Sequence, residues 1–238
     1  TDPAAPDSLA ACTVGTDAVD LHVAGDVVYV ADTNAGLVVV DIGDPTAPVV
    51  IGGVATPGTP HAVTTCGDLA LLADGSSGLT LVDIVDPTQP VVLTTLPLSG
   101  QARDVRMDGD RAYVAAGTAG LHVVDLSDPA APTVTATLAL APEARHLTGS
   151  GGMLLVAAGS GGLHLVDVSA AAAPELLGTF SLPGDACRQA VVQGDHALAV
   201  FETAGLVVAE VFTRVFQTDA DLARSLTLSD PDHDVLRA

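Results

Sequence analysis

Charged and imidazole side chains recur at one place in a 42-residue sequence pattern, but their types change from copy to copy. They are Asp20, His61, Arg103, Asp104, Arg145, His146 and Arg188. Arginine forms paired hydrogen bonds with carboxylate or sulfate groups, and histidine can transfer protons near neutral pH. A residue that serves the fold recurs in every copy, whereas a binding site needs different groups around one ligand. We therefore predict that these seven side chains line a site for a polar or anionic ligand.

Two other interpretations of these residues stay open. The arginines could instead pair with nearby acids and neutralise an acidic surface; the acids are Asp20, Asp104, Glu143 and Asp185. Carboxyl pairs about 5–10 Å apart hydrolyse glycosidic bonds. Asp20 with Asp104 or Glu143 would supply such a pair, which gives an alternative hypothesis of a polysaccharide hydrolase or lyase.

The elements that position these residues follow from an internal repeat. The string Gly-Leu-x-x-Val-Asp begins at Gly36, Gly78, Gly120 and Gly162, and a weaker copy begins at Gly205. A turn glycine recurs at the same period, at Gly25, Gly67, Gly109, Gly151 and Gly194. A third marker, Asp-Pro-x-x-Pro, runs from Asp44, Asp86 and Asp128. Self-similarity at a period of about 40 residues is typical of propeller and solenoid architectures.

Each period contains four short runs rich in valine and leucine, without the 3.6-residue periodicity of a helix. Four strands per unit of about 40 residues predict a propeller blade. The fold class is therefore all-β, a five-bladed β-propeller of four-stranded blades over residues 6–211. The fifth unit lacks its last strand. Since residues 8–14 align with the outer strand of the first unit, we predict that this N-terminal strand closes the ring beside the last blade.

The residues present in every copy have structural roles in this interpretation. Asp41, Asp83, Asp125 and Asp167 should accept backbone N–H groups at the turn that precedes Asp-Pro-x-x-Pro. The glycine of each Gly-Leu pair should adopt a positive φ. Residues 212–238 follow the last unit as a tail, with a short helix or a docking segment as its expected structure.

Several of these strings resemble a known family. LVVVD at 37–41, LTLVD at 79–83, LHVVD at 121–125 and LHLVD at 163–167 are similar to LVIVD repeats, a bacterial and archaeal propeller repeat. The resemblance extends over about residues 6–211. It implies a propeller fold and a cell-surface or secreted location, and it carries no catalytic motif.

Charge and cysteine content exclude several function classes. The chain has eight arginines, no lysine and 29 acidic residues, for a net charge of -21. This balance disfavours nucleic acid and anionic membranes as partners. The apolar content is 48%, yet no run is long enough to cross a membrane. Cys12, Cys66 and Cys187 are widely spaced without a Cys-x-x-Cys pair, so we expect no zinc site, disulfide framework or cofactor.

The sequence thus predicts a non-enzymatic binding or scaffold propeller, extracellular or at the cell surface. Its expected partner is a protein or a glycan at the rim of the propeller. Self-association through residues 212–238 is a further expectation, and a structural subunit of an extracellular polymer, linked through that tail, is a second alternative.

Overall fold

A computed structural model describes residues 7–170, 172–193 and 196–210. Every regular element in these ranges is a β-strand. The strands divide between two compact units, residues 1–98 and residues 99–238. No helix in the described ranges is long and apolar enough to cross a membrane.

The first unit contains two four-stranded antiparallel sheets, in which neighbouring strands follow one another along the chain. Sheet 1 consists of β1 (Ala18–Ala24), β2 (Val27–Asp32), β3 (Gly36–Asp41) and β4 (Val49–Val54). Sheet 2 consists of β5 (Ala62–Cys66), β6 (Leu69–Ala73), β7 (Leu79–Asp83) and β8 (Val91–Leu96).

The second unit contains three sheets of the same order. Sheet 3 consists of β9 (Asp104–Asp108), β10 (Arg111–Ala115), β11 (Leu121–Asp125) and β12 (Thr133–Leu138). Sheet 4 consists of β13 (His146–Ser150), β14 (Met153–Ala157), β15 (Leu163–Asp167) and β16 (Glu175–Phe180). Sheet 5 consists of β17 (Cys187–Gln193), β18 (His196–Phe201) and β19 (Gly205–Glu210). Four strands per period are confirmed for the first four copies.

Burial explains why the middle strands are apolar throughout. Tyr29 and Val39 of sheet 1 pack with Leu72 and Val82 of sheet 2 in one core cluster. Strands covered on both faces read as continuous apolar runs instead of alternating ones. At about 25 cal/mol per Å² of apolar surface, these faces supply the main stabilisation of each unit.

The recurring glycines and aspartates have the predicted structural roles. Gly120 has a φ of +89°, and a Cβ atom there would lie 2.2 Å from the carbonyl oxygen of Leu138. Asp125 Oδ1 accepts the backbone N–H of Ser127 at 2.8 Å and also its hydroxyl at 2.6 Å, which lowers the pKa of Asp125. The same contact recurs in three other copies, where an aspartate Oδ1 accepts the backbone N–H two residues later. The pairs are Asp41 with Gly43, Asp83 with Val85 and Asp167 with Ser169.

The predicted closing strand is not confirmed. Sheet 5 has three strands in the described ranges, and residues 8–14 form no strand. Cys12 and Val14 instead pack on Val30 and Val38 of sheet 1. This short segment places its apolar side chains against a sheet face without a ladder of backbone hydrogen bonds. The predicted tail, residues 212–238, lies outside the described residues.

Candidate rim site

The candidate residues lie at one edge of each sheet because the first two strands run antiparallel. In sheet 3, Asp104 at the start of β9 pairs with Ala115 at the end of β10. The segment that leads into the first strand therefore meets the loop that follows the second strand. We call this edge of a sheet its rim edge. Backbone bridges link the rim edges of sheets 3 and 4, since Gly117 and Ala144 exchange N–H···O bonds of 3.0 and 2.8 Å.

In the first unit, the rim edge holds Asp20 and His61. Asp20 Oδ2 accepts the backbone N–H of Val63, in the first strand of sheet 2, at 2.9 Å. The backbone N–H of His61 donates to the carbonyl of Ala73 at 2.8 Å. The imidazole of His61 lies over the turn at Gly75, where a Cβ atom would be 3.6 Å from Nε2. Asp20 thus joins two sheets.

In the second unit, Asp104 has the same role as Asp20. Its Oδ2 accepts the backbone N–H of Leu147, in the first strand of sheet 4, at 2.6 Å. Nε2 of His146 lies 3.8 Å from the same oxygen. The structure therefore brings Asp104 and His146 together, with the carboxylate held by the backbone of the neighbouring sheet.

Arg145 is held by a carboxylate on its own loop. Both Nε and Nη2 of Arg145 contact Oε1 of Glu143, at 2.7 and 2.6 Å. This hydrogen bonding, together with the charges of Glu143 and Glu202, raises the pKa of Arg145. The pairing that the alternative interpretation predicts for Arg145 is thus present.

Arg188 and Arg103 differ in how they are held. Nη2 of Arg188 lies 3.2 Å from Oε1 of Glu202, in a pair that is largely exposed. Nη2 of Arg103 donates to Oε1 of Gln101 at 3.3 Å, and its Nε is shielded from solvent without an acceptor in the described part of the chain. Arg103 therefore differs from Arg145 and Arg188, because the hydrogen-bond partner of its guanidinium is a neutral amide.

The positions of these side chains repeat across two copies of the second unit. Arg103 crosses the turn at Gly117, where a Cβ atom would lie 3.7 Å from its Nε. Arg145 crosses the turn at Gly159 in the same way, at 3.3 Å. A Cβ atom at Gly159 would crowd the guanidinium of Arg145, whereas one at Gly117 would make ordinary contact with Arg103. The positive φ of both glycines disfavours a larger residue.

Three buried aspartates at the rim edges are not among the seven predicted site residues. Asp32 accepts the backbone N–H groups of Asp17, Asn34 and Ala35. Asp74 accepts from the Gly58 N–H and from two threonine hydroxyls, those of Thr56 and Thr80. Asp32 and Asp74 stand 42 residues apart, which is the signal that could have identified them as structural.

Asp185 is the third of these aspartates. It accepts the backbone N–H groups of Ala186, Thr203 and Ala204. Burial alone would raise its pKa, but the hydrogen bonds from Thr203, Ala204 and Ala186 outweigh burial and lower the pKa to about 2. Asp185 thus ties the loop before β17 to the loop after β18, and it does not pair with Arg188.

Most charged side chains at the rim edges have partners within the protein. The carboxylates accept backbone N–H groups or pair with arginine, which gives them structural roles. Within the described ranges, no three His, Cys, Asp or Glu side chains are grouped as a metal ion would require. The arginine side chains supply hydrogen-bond donors for an acidic group.

The match to a family model follows the repeat. The model of the LVIVD repeat matches residues 15–56, 57–95, 99–138 and 143–181. The chain belongs to the LVIVD-repeat family. No curated protein matches this LVIVD-repeat chain at a significant level.

Solved structures similar to this LVIVD-repeat protein are propellers. The computationally designed Ika8 protein has a TM-score of 0.67 at 10% identity, over 82% of this chain and 58% of that one. The β-propeller domain of Myceliophteria thermophila Cps50 (Swd1) has a TM-score of 0.62 at 13% identity, over 79% and 68%. A chain of a nidogen/laminin complex has a TM-score of 0.59 at 14% identity, over 82% and 76%. This chain thus spans little more than half of the Ika8 chain.

Proposed function

We propose that this protein is a non-enzymatic binding and scaffold module that acts outside the cell and assembles with copies of itself. Its rim edge binds an acidic group of a protein partner. The propeller fold and its repeats support a binding or scaffold role. Rigid sheets that hold varied loops are a common basis for recognition.

The observation that carries the proposal is the state of Arg103. Its neighbours in the site, Arg145 and Arg188, are neutralised by Glu143 and Glu202. Arg103 contacts the neutral side chain of Gln101 and keeps a shielded Nε without an acceptor in the described ranges. A carboxylate that docks on this guanidinium gains a charge-assisted hydrogen bond, which is stronger than a neutral one.

A protein partner is the preferred class for two reasons. One similar solved chain comes from a complex of nidogen with laminin, two proteins. The net charge of -21 repels densely charged polyanions, whereas a protein can offer one carboxylate within a largely neutral contact. The extracellular location rests on the LVIVD repeats, which imply a cell-surface or secreted protein.

Hydrolysis or cleavage of a polysaccharide is the weaker alternative. A general acid needs a carboxyl group that keeps its proton near neutral pH. Asp20 and Asp104 each accept a backbone N–H from the neighbouring sheet, and Glu143 is bound to Arg145. These carboxylates are therefore engaged in contacts within the protein, which gives them structural roles.

A titration with acidic probes tests the rim proposal. The probes are a labelled, C-terminally amidated hexapeptide with one glutamate among neutral residues, and a labelled hexagalacturonate, which separate a protein-like from a glycan-like acidic ligand. We expect the peptide to bind and Arg103→Gln to weaken it by about tenfold, the effect of roughly one charge-assisted hydrogen bond. The matched control is Arg111→Gln, because Arg111 begins β10 and therefore lies at the opposite end of that strand from the rim edge.

Two outcomes would contradict the proposal. One is equal loss of peptide affinity in the Arg103 and Arg111 variants, since net charge alone would then explain binding. The other is no peptide binding by the wild-type protein. Binding of the galacturonate with the same Arg103 dependence would replace the protein partner by a glycan.

A further inference from the structure

Sheets within each unit pack on one another by a constant rule. In the first unit, Leu37 and Val39 of sheet 1 share a core cluster with Val63 and Leu72 of sheet 2. In the second unit, Leu121 and Val123 of sheet 3 pack with Leu147 and Val156 of sheet 4 in the same way. We call the face of a sheet that carries the Leu37 position its forward face, and the face that carries the Val63 position its backward face.

The third such interface joins sheets 4 and 5. Leu155 and Leu163 on the forward face of sheet 4 pack with Ala190 and Ala199 on the backward face of sheet 5. Each of these three interfaces therefore places a forward face on the backward face of the sheet that follows along the chain. The repeat itself encodes this contact, because the same positions supply it each time.

The forward face of sheet 5 departs from this rule, since its side chains are exposed. Leu206 is 63% exposed, whereas its equivalents in the other four sheets are at most 1% exposed; these are Leu37, Leu79, Leu121 and Leu163. Val200 and Val208 lie on the same face and are also exposed. In the second unit, no described sheet follows sheet 5 to cover this apolar face as sheet 4 covers sheet 3.

The backward face of sheet 1 is exposed in the same sense. Leu21 is 59% exposed, whereas its equivalents are at most 4% exposed; these are Val63, Val105, Leu147 and Ala190. Val23 lies beside it and is exposed as well. Cys12 and Val14 cover only a different part of this face, over Val30 and Val38.

The two exposed surfaces are therefore the two halves of one type of interface. We infer that a second copy of this chain docks on them head to tail, with the forward face of sheet 5 in one copy on the backward face of sheet 1 in the next. The contact continues an interface that the chain already makes three times. This inference rests on the proposed self-assembly, for which it names the surface.

A second copy fits these surfaces better than the other occupants do. The remaining surface carries most of a net charge of -21, so two copies repel each other except where apolar faces meet. Residues 211–238 of the same chain could cover one of the faces, whereas a second copy offers a fitting partner to both. Exposed apolar patches of this kind mark interaction surfaces in soluble proteins.

The proposed contact is heterologous, which means that each copy contributes a different surface. The two surfaces can therefore be disrupted one at a time. The oligomeric state is measured by light scattering after size exclusion, in about 1 M NaCl so that charge repulsion is screened. We expect the wild-type chain to exceed its monomer mass of 23.6 kDa. Leu21→Asp and Leu206→Asp should each be monomeric. An equimolar mixture of the two variants should form a dimer, because one intact contact remains between them.

The matched control is Val85→Asp, since Val85 is 67% exposed and lies outside both faces. It should keep the wild-type oligomeric state. Thermal melting of each variant establishes that it is folded. Rim binding is measured separately on the monomeric Leu21→Asp variant, so that loss of assembly and loss of the proposed binding function are distinguished.

Three results would overturn the inference. A monomeric wild-type chain means that the faces are covered within one chain, as in the predicted closed ring, and both Asp variants should then melt at lower temperature. Loss of the oligomer in only one variant means that like faces pair with each other. An oligomer that persists in both variants means that copies meet elsewhere.

Discussion

The carboxylate of Asp104 joins two sheets, because its Oδ2 accepts the backbone N–H of Leu147 at 2.6 Å. Leu147 is fully buried, so water cannot replace this acceptor. Asp20 and Val63 make the same contact in the first unit at 2.9 Å. The rim edge is therefore held in place by carboxylates that are committed to the backbone.

Removal of this acceptor should destabilise the fold. Asp104→Ala leaves the buried N–H of Leu147 without its carboxylate acceptor, which costs about 1–3 kcal/mol. Chemical denaturation measures the loss in the free energy of unfolding. The control is Asp108→Ala, at the exposed far end of the same strand, for which we expect a change within about 0.5 kcal/mol. Equal effects of the two substitutions would contradict the role given to Asp104.

The internal comparison of repeats explains which parts were predictable from sequence. Each copy encodes its own strands and turns, so the four-strand period, the positive φ at Gly120 and the turn contact of Asp125 were all predicted correctly. These features depend on residues close together in the chain. Because each pattern occurs in several copies of the repeat, its structural role could be inferred from the sequence with several independent examples.

Contacts between sheets were harder to predict. Asp104 and its partner Leu147 are 43 residues apart in the chain. The intervening copy has no aspartate at the position of Asp20 and Asp104, so these two residues appeared to break the repeat although they make the same contact. The partner of Arg188 is Glu202, which lies on the loop after β18, a choice set by packing in three dimensions. Ser8–Val14 aligned with an outer strand, but the alignment carried no information about its partner.

Asp185 should make stability depend on pH in the acid range. Its pKa is about 2 in the folded protein and about 3.8 when unfolded, so its contribution is present above about pH 3.8 and lost as the pH falls toward 2. Asp185→Asn should lower the melting temperature at neutral pH. Between these two pH values, the melting temperature of the variant should also change less than that of the wild-type protein. A wild-type slope retained by the variant would contradict this assignment.

His164 should also make stability decrease as the pH falls, beginning at a higher pH than for Asp185. Burial lowers its pKa, and its Nε2–H donates to the carbonyl of Ala141 at 3.2 Å while Nδ1 accepts from the Thr179 hydroxyl at 2.7 Å. The folded protein therefore holds a neutral imidazole. The free energy of unfolding should be highest above about pH 6.5. It should decrease as the pH falls below this value, because the imidazole takes up a proton in the unfolded chain but not in the folded protein.

A variant pair isolates this effect. His164→Gln should remove the part of the pH dependence that begins near pH 6.5, although it also lowers stability at every pH. His196→Gln removes an exposed imidazole and should leave the profile unchanged. A pH profile that is the same in wild type and His164→Gln would refute the role of this buried histidine.

The excess of acidic residues should make the protein respond strongly to salt. With a net charge of -21, repulsion between carboxylates destabilises the compact state at low ionic strength. The Debye length falls from about 10 Å at 0.1 M to about 3 Å at 1 M salt, which screens this repulsion. Melting temperature should therefore rise steadily with NaCl concentration. A flat curve would mean that the composition has no such consequence.

The central claim is that the rim binds an acidic group without converting it, and proton NMR of the probes tests this most directly. With a small amount of protein added, the signals of the single-glutamate peptide should broaden, and the broadening should disappear for Arg103→Gln but remain for Arg111→Gln. The hexagalacturonate signals should show no product with time. New signals from a cleaved oligosaccharide, or sharp peptide signals with the wild-type protein, would contradict the account.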